Sequence, residues 1–289
     1  MLDARSWLLA GLGLLALVFA LFWFVALRRD AGPRRPSLIE IGIGFITDFL
    51  DTLGIGSFAT TTSLYRWRGR VGDRELPGTL NVGHAIPTAL QAFIYISAIE
   101  VEIVTLCALI GAAVLGAHVG AGRVVRWPER QVRIAMALAL LAAASLIVAR
   151  LIGWLPRGSE QLGLSGVWLV AAVFGNFVLG VLMTLGIGLY APCMILVALL
   201  GMNPKAAFPI MMGSCAFLMP VAGFRFVRAR SYSAPAALGL CIGGLPAVWI
   251  AAHWVKELEL DTLRWLVVGV VLYTAVSLLR AARRNGPAA

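Results

Sequence analysis

The pentapeptide TLGIG stands twice in this chain, at Thr52–Gly56 and again at Thr184–Gly188, each time inside a long apolar block. A glycine in a helix interior costs roughly 1 kcal/mol relative to alanine. Two of them, two residues apart, in the middle of two otherwise strongly apolar stretches predict a built-in break in each. Paired interrupted segments in the two halves of a membrane protein are the sequence feature that points to a solute site.

The membrane setting follows from composition. Of the 289 residues 60% are hydrophobic and only 13% charged, about half the charge of an ordinary soluble domain. A soluble fold could not hide so much apolar surface. Apolar blocks run over 7–27, 39–65, 77–99, 103–122, 134–154, 166–202, 206–224, 236–254 and 263–279. Several reach the roughly 20 residues needed to cross about 30 Å of hydrocarbon. The first is too long for a signal peptide and is followed by Arg28 and Arg29, which predicts a retained span. The net charge of +10 sits largely in short arginine clusters between blocks, a pattern that orients membrane proteins and argues against nucleic acid as a partner. Cys107, Cys193, Cys215 and Cys241 lack metal-type spacing and read as small buried residues.

Nine simple crossings would divide the cations evenly between the two faces, an odd result for so arginine-rich a chain. If the two TLGIG blocks instead turn back at their glycines, 18 of the 24 cations fall on one face. These are Arg28, Arg29, Arg34, Arg35, Arg66, Arg68, Arg70, Arg74, Arg123, Arg126, Arg130, Arg133, Arg225, Arg228, Arg230, Arg280, Arg283 and Arg284. The other face keeps acidic or near-neutral loops with Glu100, Glu102, Glu160, Glu257, Glu259 and Asp261. The expected architecture is an all-α polytopic membrane protein with seven full spans and two re-entrant broken-helix hairpins in two inverted-topology repeats. Residues 1–35 form an N-terminal span and basic loop, 36–155 the first repeat, and 156–289 the second with a basic cytoplasmic tail. The N-terminus is expected outside and the C-terminus in the cytoplasm, with Arg70 and Arg130 cytoplasmic and Glu100 and Gly158 outward.

The stretch GIGFITDFLDTLGIGSFATTTSLYRW, the LPGTLNVGHAIPTALQAFIYI that follows, and FVLGVLMTLGIGLYAPCMILVALLG in the second half resemble the repeats of the TauE/SafE family of membrane permeases, also called sulfite exporters. The resemblance extends over about residues 36–283. It implies transport of small sulfur-containing anions, such as sulfite, thiosulfate or organosulfonates, across the bacterial inner membrane. Of the family's pattern only the glycine-break motifs map onto this chain residue by residue.

The residues at the breaks support an anion independently. A half-helix that starts after a break offers free backbone N–H groups and a positive dipole end, a setting for an oxyanion. Gly54, Gly56, Gly186 and Gly188 form the breaks. Ser57, Thr60, Thr61 and Thr62 follow the first, and Tyr190 and Cys193, around Pro192, follow the second. The hydroxyls either donate to the solute or bond their own helix backbone. Asn81, Gly83 and His84 match Gly213, Ser214 and Cys215 at nearly the offset that separates the two TLGIG copies. His84 reads as a proton carrier, an anion ligand or a hydrogen-bonded interior histidine. His118 reads as packing or near-interface, and His253 beside Trp254 as interfacial.

Asp48 and Asp51 share a helix face, and a carboxylate at bilayer depth costs roughly 3 kcal/mol on insertion scales. They read either as a proton or cation coupling site, or as structural groups that cap the broken helix or pair with an arginine. Their second-repeat counterparts are Gly180 and Met183, so such a site is present once. No metal or cofactor is expected, and a second copy of the chain stands open as a partner beside the anionic solute and the lipid bilayer. Other readings are a passive anion channel, a non-transporting scaffold and, more remotely, an intramembrane hydrolase built on Ser57, which lacks a glycine directly after the serine. No GxxxxGK[ST] motif supplies ATP-driven pumping.

Overall fold

The computed structural model describes residues 3–29, 35–154, 160–186, 188–254 and 261–284. Among them the chain is all helical: α1 (Ala4–Arg29), α2 (Leu38–Thr52), α3 (Ser57–Arg68), α4 (Leu76–Gly83), α5 (Ala85–Ala98), α6 (Ile103–Val124), α7 (Glu129–Leu151), α8 (Gly166–Met183), α9 (Tyr190–Leu199), a 3₁₀ turn at Pro204–Ala206, α10 (Ala207–Arg228), α11 (Ala234–Trp254) and α12 (Asp261–Arg284). Six of these, α1, α6, α7, α8, α10 and α11, are long and apolar enough to cross a membrane.

That set differs from the seven spans expected. The 77–99 block is not one helix but two, α4 of 8 residues and α5 of 14. Pro87 has no N–H to offer the carbonyl of Gly83, and its ring disfavours helical backbone just before it, so the ladder lapses at His84. Conversely α8, expected as one arm of a hairpin, reaches 18 residues. Of the outward residues expected, Gly158, Glu257 and Glu259 lie outside the described residues, as does Arg34 among the clustered cations.

Local chemistry sets the helix starts. Ser37 opens α2 with a capping box: its hydroxyl accepts from the Glu40 amide, and its own amide donates to Glu40 Oε2 at 2.6 Å. At the start of α6 the Glu102 carboxylate accepts from the Val104 and Thr105 amides. The Thr105 hydroxyl also donates to it, and these bonds hold its carboxyl below the usual carboxylate range.

The breaks reverse the chain. Helix α2 runs parallel to α11: Glu40 lies against Gly239, Ile41 and Phe45 against Gly243, and Asp48 against Gly244. After the break α3 comes back, and near its end the Tyr65 hydroxyl donates to the carbonyl of Ala236, in the first turn of α11. Helix α8 likewise runs parallel to α6, with Asn176 bonded to Leu109 and Gly180 against Ala113. Past α9 the amide of Asn203 donates to Gln161 just before α8, at 2.8 Å. Each broken segment therefore returns to the end of the bundle it came from. The pairs start from opposite ends, because α4–α5 runs antiparallel to α10, with Gly78 against Phe226 and Ile96 against Gly213, so that α6, which follows α5, and α11, which follows α10, begin at opposite ends.

Packing follows the same exchange between halves. Helix α2 packs on α11 and α8 on α6, α3 on α12 and α9 on α7, while α7 meets α12 and α5 meets α10. Backbones come close along the α2–α11 and α6–α8 seams because both are lined with glycine: Gly44, Gly239, Gly243 and Gly244 in the first, Gly116, Gly120 and Gly180 in the second. Helix α10 sits at the centre, buried over most of its circumference, whereas α1 is buried along one stripe, Leu12, Phe19, Trp23 and Leu27. Cys193 and Cys215 are buried as expected, Cys241 is half-buried, and Cys107 is exposed. The correction at Cys107 has a simple cause: it faces outward from α6, and an apolar block does not reveal which of its faces meets lipid. His118 lies 2.8 Å from the Arg225 guanidinium through Nε2, and His253 is exposed and stacked on Trp249.

Candidate functional site

The two breaks meet. A methyl placed on Gly188 would touch Phe58 at 3.6 Å, one placed on Gly54 would meet Phe208 at 3.2 Å and Met194 at 4.0 Å, and the Tyr190 hydroxyl reaches across from α9 to α5. Gly54, Gly56 and Gly186 hold φ of +80°, +93° and +91°, a region that side-chain-bearing residues rarely enter. Gly56→Ala is therefore expected to cost about 1–3 kcal/mol through backbone strain alone, although nothing lies within 4 Å of its absent side chain. Gly111→Ala, inside α6 and likewise with nothing within 4 Å of its absent side chain, is expected to be neutral or stabilising by up to about 1 kcal/mol. Thermal unfolding of the two variants in detergent checks the contrast, and equal losses would mean that space rather than backbone governs Gly56.

Beside the first break lies a fully buried polar chain. His84 Nδ1 is 2.9 Å from Asp48 Oδ1 and 3.0 Å from Oδ2, and Nε2 is 3.0 Å from Thr61 Oγ1. Asp48, His84 and Thr61 are each 0% exposed. Three elements converge on this point: α2 brings Asp48, the α4–α5 kink brings His84, and α3 brings Thr61. Gly244 makes room for it, since a methyl there would fall 2.2 Å from Asp48 Oδ2. Asp48 thus pairs with a histidine rather than an arginine, and the imidazole can hold or release a proton with both nitrogens bonded.

Asp51 takes the structural role foreseen for one of the acids. Its Oδ1 accepts from the Ser57 amide at 2.5 Å, which caps α3 across the break. The first half-helix start is therefore met by an internal carboxylate rather than left open. Leu189, at the start of α9, gives no side-chain cap. Among the described residues Asp51 Oδ2 is buried without a hydrogen-bond partner, as are Asn81 Oδ1, Thr62 Oγ1 and Thr88 Oγ1.

The hydroxyls divide. Thr60 bonds back to the Ser57 carbonyl at 2.8 Å, the backbone alternative, while Thr61 turns to His84. Asn81 donates to its own helix at Pro77. Ser214 accepts from Asn176 at 2.9 Å, so it joins the α6–α8 seam and not the Asp48 cluster. Tyr190 donates to Gln91 Oε1 at 2.7 Å, Gln91 donates to Thr52 Oγ1 at 3.0 Å, and the Tyr95 hydroxyl donates to the Thr52 carbonyl at 2.7 Å. Cys193 is buried nearby, its amide donating to the Leu189 carbonyl at 2.9 Å.

Gln91, Thr52, Tyr95 and Asn176 were not singled out from sequence. Gln91 and Asn176 carry the signal that flagged Asp48, a polar side chain inside an apolar block. A different polar knot sits at the arginine-rich end. Asp73 pairs with Arg66 and, at 2.7 Å, with Arg133, while Arg66 also reaches Ser277 and Arg130 donates to the Ala282 carbonyl. These ties join α3, α7 and α12.

Comparison with protein-family models, curated proteins and solved structures finds no match. The fold and site define a class: an all-helical chain with six membrane-length helices and two helix breaks that meet beside buried carboxylates.

Proposed function

We propose that the chain is a secondary permease of the TauE/SafE type that carries a small anion, of the sulfur oxyanion or organosulfonate class, across a bacterial inner membrane. The carrying observation is that two broken helix pairs enter from opposite ends and meet in the interior, the arrangement in which inverted-repeat carriers hold solute. In this reading α2–α3 and α8–α9 are re-entrant hairpins, and α1, α4–α5, α6, α7, α10, α11 and α12 are the seven crossings. At 15 and 12 residues, α2 and α3 extend only about 22 and 18 Å at 1.5 Å per residue, short of the hydrocarbon thickness. The arginine-rich end faces the cytoplasm.

Charge balance supplies the coupling. Two buried carboxylates beside one imidazole leave the site negative even when the imidazole carries a proton, and an incoming anion adds to that at low dielectric. A proton taken up by the Asp48–His84 pair or by Asp51 offsets it. An Asp51 that has taken a proton holds the Ser57 amide more weakly, since a neutral carboxyl is a weaker acceptor than a carboxylate. Flux is expected to follow an imposed proton gradient.

The test is sulfite and thiosulfate flux in proteoliposomes with and without that gradient, for wild type, Gly56→Leu and Asp51→Asn. Flux should be lost in Gly56→Leu, and gradient dependence lost in Asp51→Asn. Absence of flux for both anions and for organosulfonates, in protein that remains folded, would overturn the reading. Downhill flux that ignores the gradient in wild type would favour the channel instead.

A further inference from the structure

Where α1 and α10 end side by side, three arginines line a groove of about 330 Å³: Arg29 from α1, Arg228 from α10 and Arg230 just beyond it. All three are exposed. Among the described residues no carboxylate lies within ion-pair distance of any of them, and no acid lines the groove. A second groove of about 910 Å³ shares Phe22 and Arg228 with the first. It continues along α1 to Val18, with Val221, Phe224 and Arg225 of α10 and His118 of α6 on its other side.

The two grooves have the polarity of a phospholipid. The cationic part lies at the helix ends, and the apolar part runs from Phe22 to Val18, about one helical turn toward the middle of α1. The Arg228 guanidinium stands 5.6 Å over the Phe22 ring at the junction, which orients it and leaves its N–H groups for phosphate. The basic groove on the other side of the bundle, with Arg66 and Arg280, differs in that Asp73 already engages Arg66.

We propose that the α1–α10 groove is a binding site for an anionic diacyl phospholipid, its phosphate held by Arg29, Arg228 and Arg230 and an acyl chain lying along Val18 and Phe22. Basic pockets between membrane helices take such headgroups, and acyl contact distinguishes a lipid from a free phosphate, which would leave the apolar wall empty. The site rests on the chain lying in a bilayer and is independent of what, if anything, it transports.

The experiment is native mass spectrometry of the full-length protein released from phosphatidylcholine nanodiscs doped with cardiolipin or phosphatidylglycerol. The triple variant Arg29→Gln, Arg228→Gln, Arg230→Gln is compared with a control at exposed arginines of the same end, Arg68→Gln, Arg70→Gln, Arg126→Gln. Wild type and control should retain the anionic lipid, and the groove variant should bind it about 100-fold more weakly, three arginines at about fivefold each. Phe22→Ser should weaken retention with the charges intact, and inorganic phosphate in excess should not displace the lipid. Equal retention by the groove variant, equal loss in the control, or retention of phosphatidylcholine to the same degree would each overturn the site. Thermal unfolding in phosphatidylcholine alone confirms that each variant is folded.

Discussion

His84→Ala is expected to destabilise the protein by about 3–5 kcal/mol, the cost of removing one partner from a buried ion pair. The carboxylate of Asp48 has no exposure, and apart from His84 no described group bonds its oxygens. Thr61 would lose its side-chain partner as well. Replacing both members by apolar residues should recover most of the loss, because a well-packed apolar pair avoids the desolvation penalty altogether. Leucine is close to isosteric with aspartate and fits the space that Gly244 leaves. A cycle of wild type, Asp48→Leu, His84→Leu and Asp48→Leu/His84→Leu, with His84→Ala measured alongside, followed by thermal or denaturant unfolding in detergent, measures the coupling. A double variant no more stable than His84→Ala would show that the pair contributes packing rather than charge compensation. The same double variant should be blind to an imposed proton gradient if the permease reading holds.

Gly243→Ala is expected to cost about 3 kcal/mol or more, at the upper end of what overpacking does. An added methyl would fall 2.0 Å from the Ile41 carbonyl oxygen and 2.7 Å from the Phe45 amide nitrogen. Both belong to the α2 backbone, so no rotamer change relieves the clash and the helices must separate. Gly44 and Gly239 stand in the same seam, 2.6 Å from the Leu240 Cα and 2.5 Å from the Glu40 Cβ by the same measure. Separation would also displace Asp48 from His84, so stability and any activity should fall together. Gly42→Ala is the contrast: nothing lies within 4 Å of it, and alanine there should be neutral or stabilising by up to about 1 kcal/mol. Yield of monodisperse protein and the unfolding midpoint read both, and a tolerated Gly243→Ala would mean that the α2–α11 seam is looser than drawn.

Composition and block length alone determined that the chain is helical and that several helices are long and apolar enough to cross a bilayer, because hydrocarbon thickness and the need to satisfy backbone polar groups leave few alternatives. The repeated glycines marked both places where the helix breaks, since the penalty for glycine is local and visible in any sequence. Asp48, Asp51 and His84 were legible for a related reason, as polar groups in apolar blocks. What they do was decided only in three dimensions. Asp48 and Asp51 are one helical turn apart, yet one meets a histidine 36 positions further along and the other caps the next helix. The split of the 77–99 block at His84, the exposure of Cys107, and the chain from Tyr190 through Gln91 to Thr52 depend on helix rotation and on contacts between residues far apart in sequence. Periodicity within one apolar helix does not carry that information, since lipid and protein interior are about equally apolar.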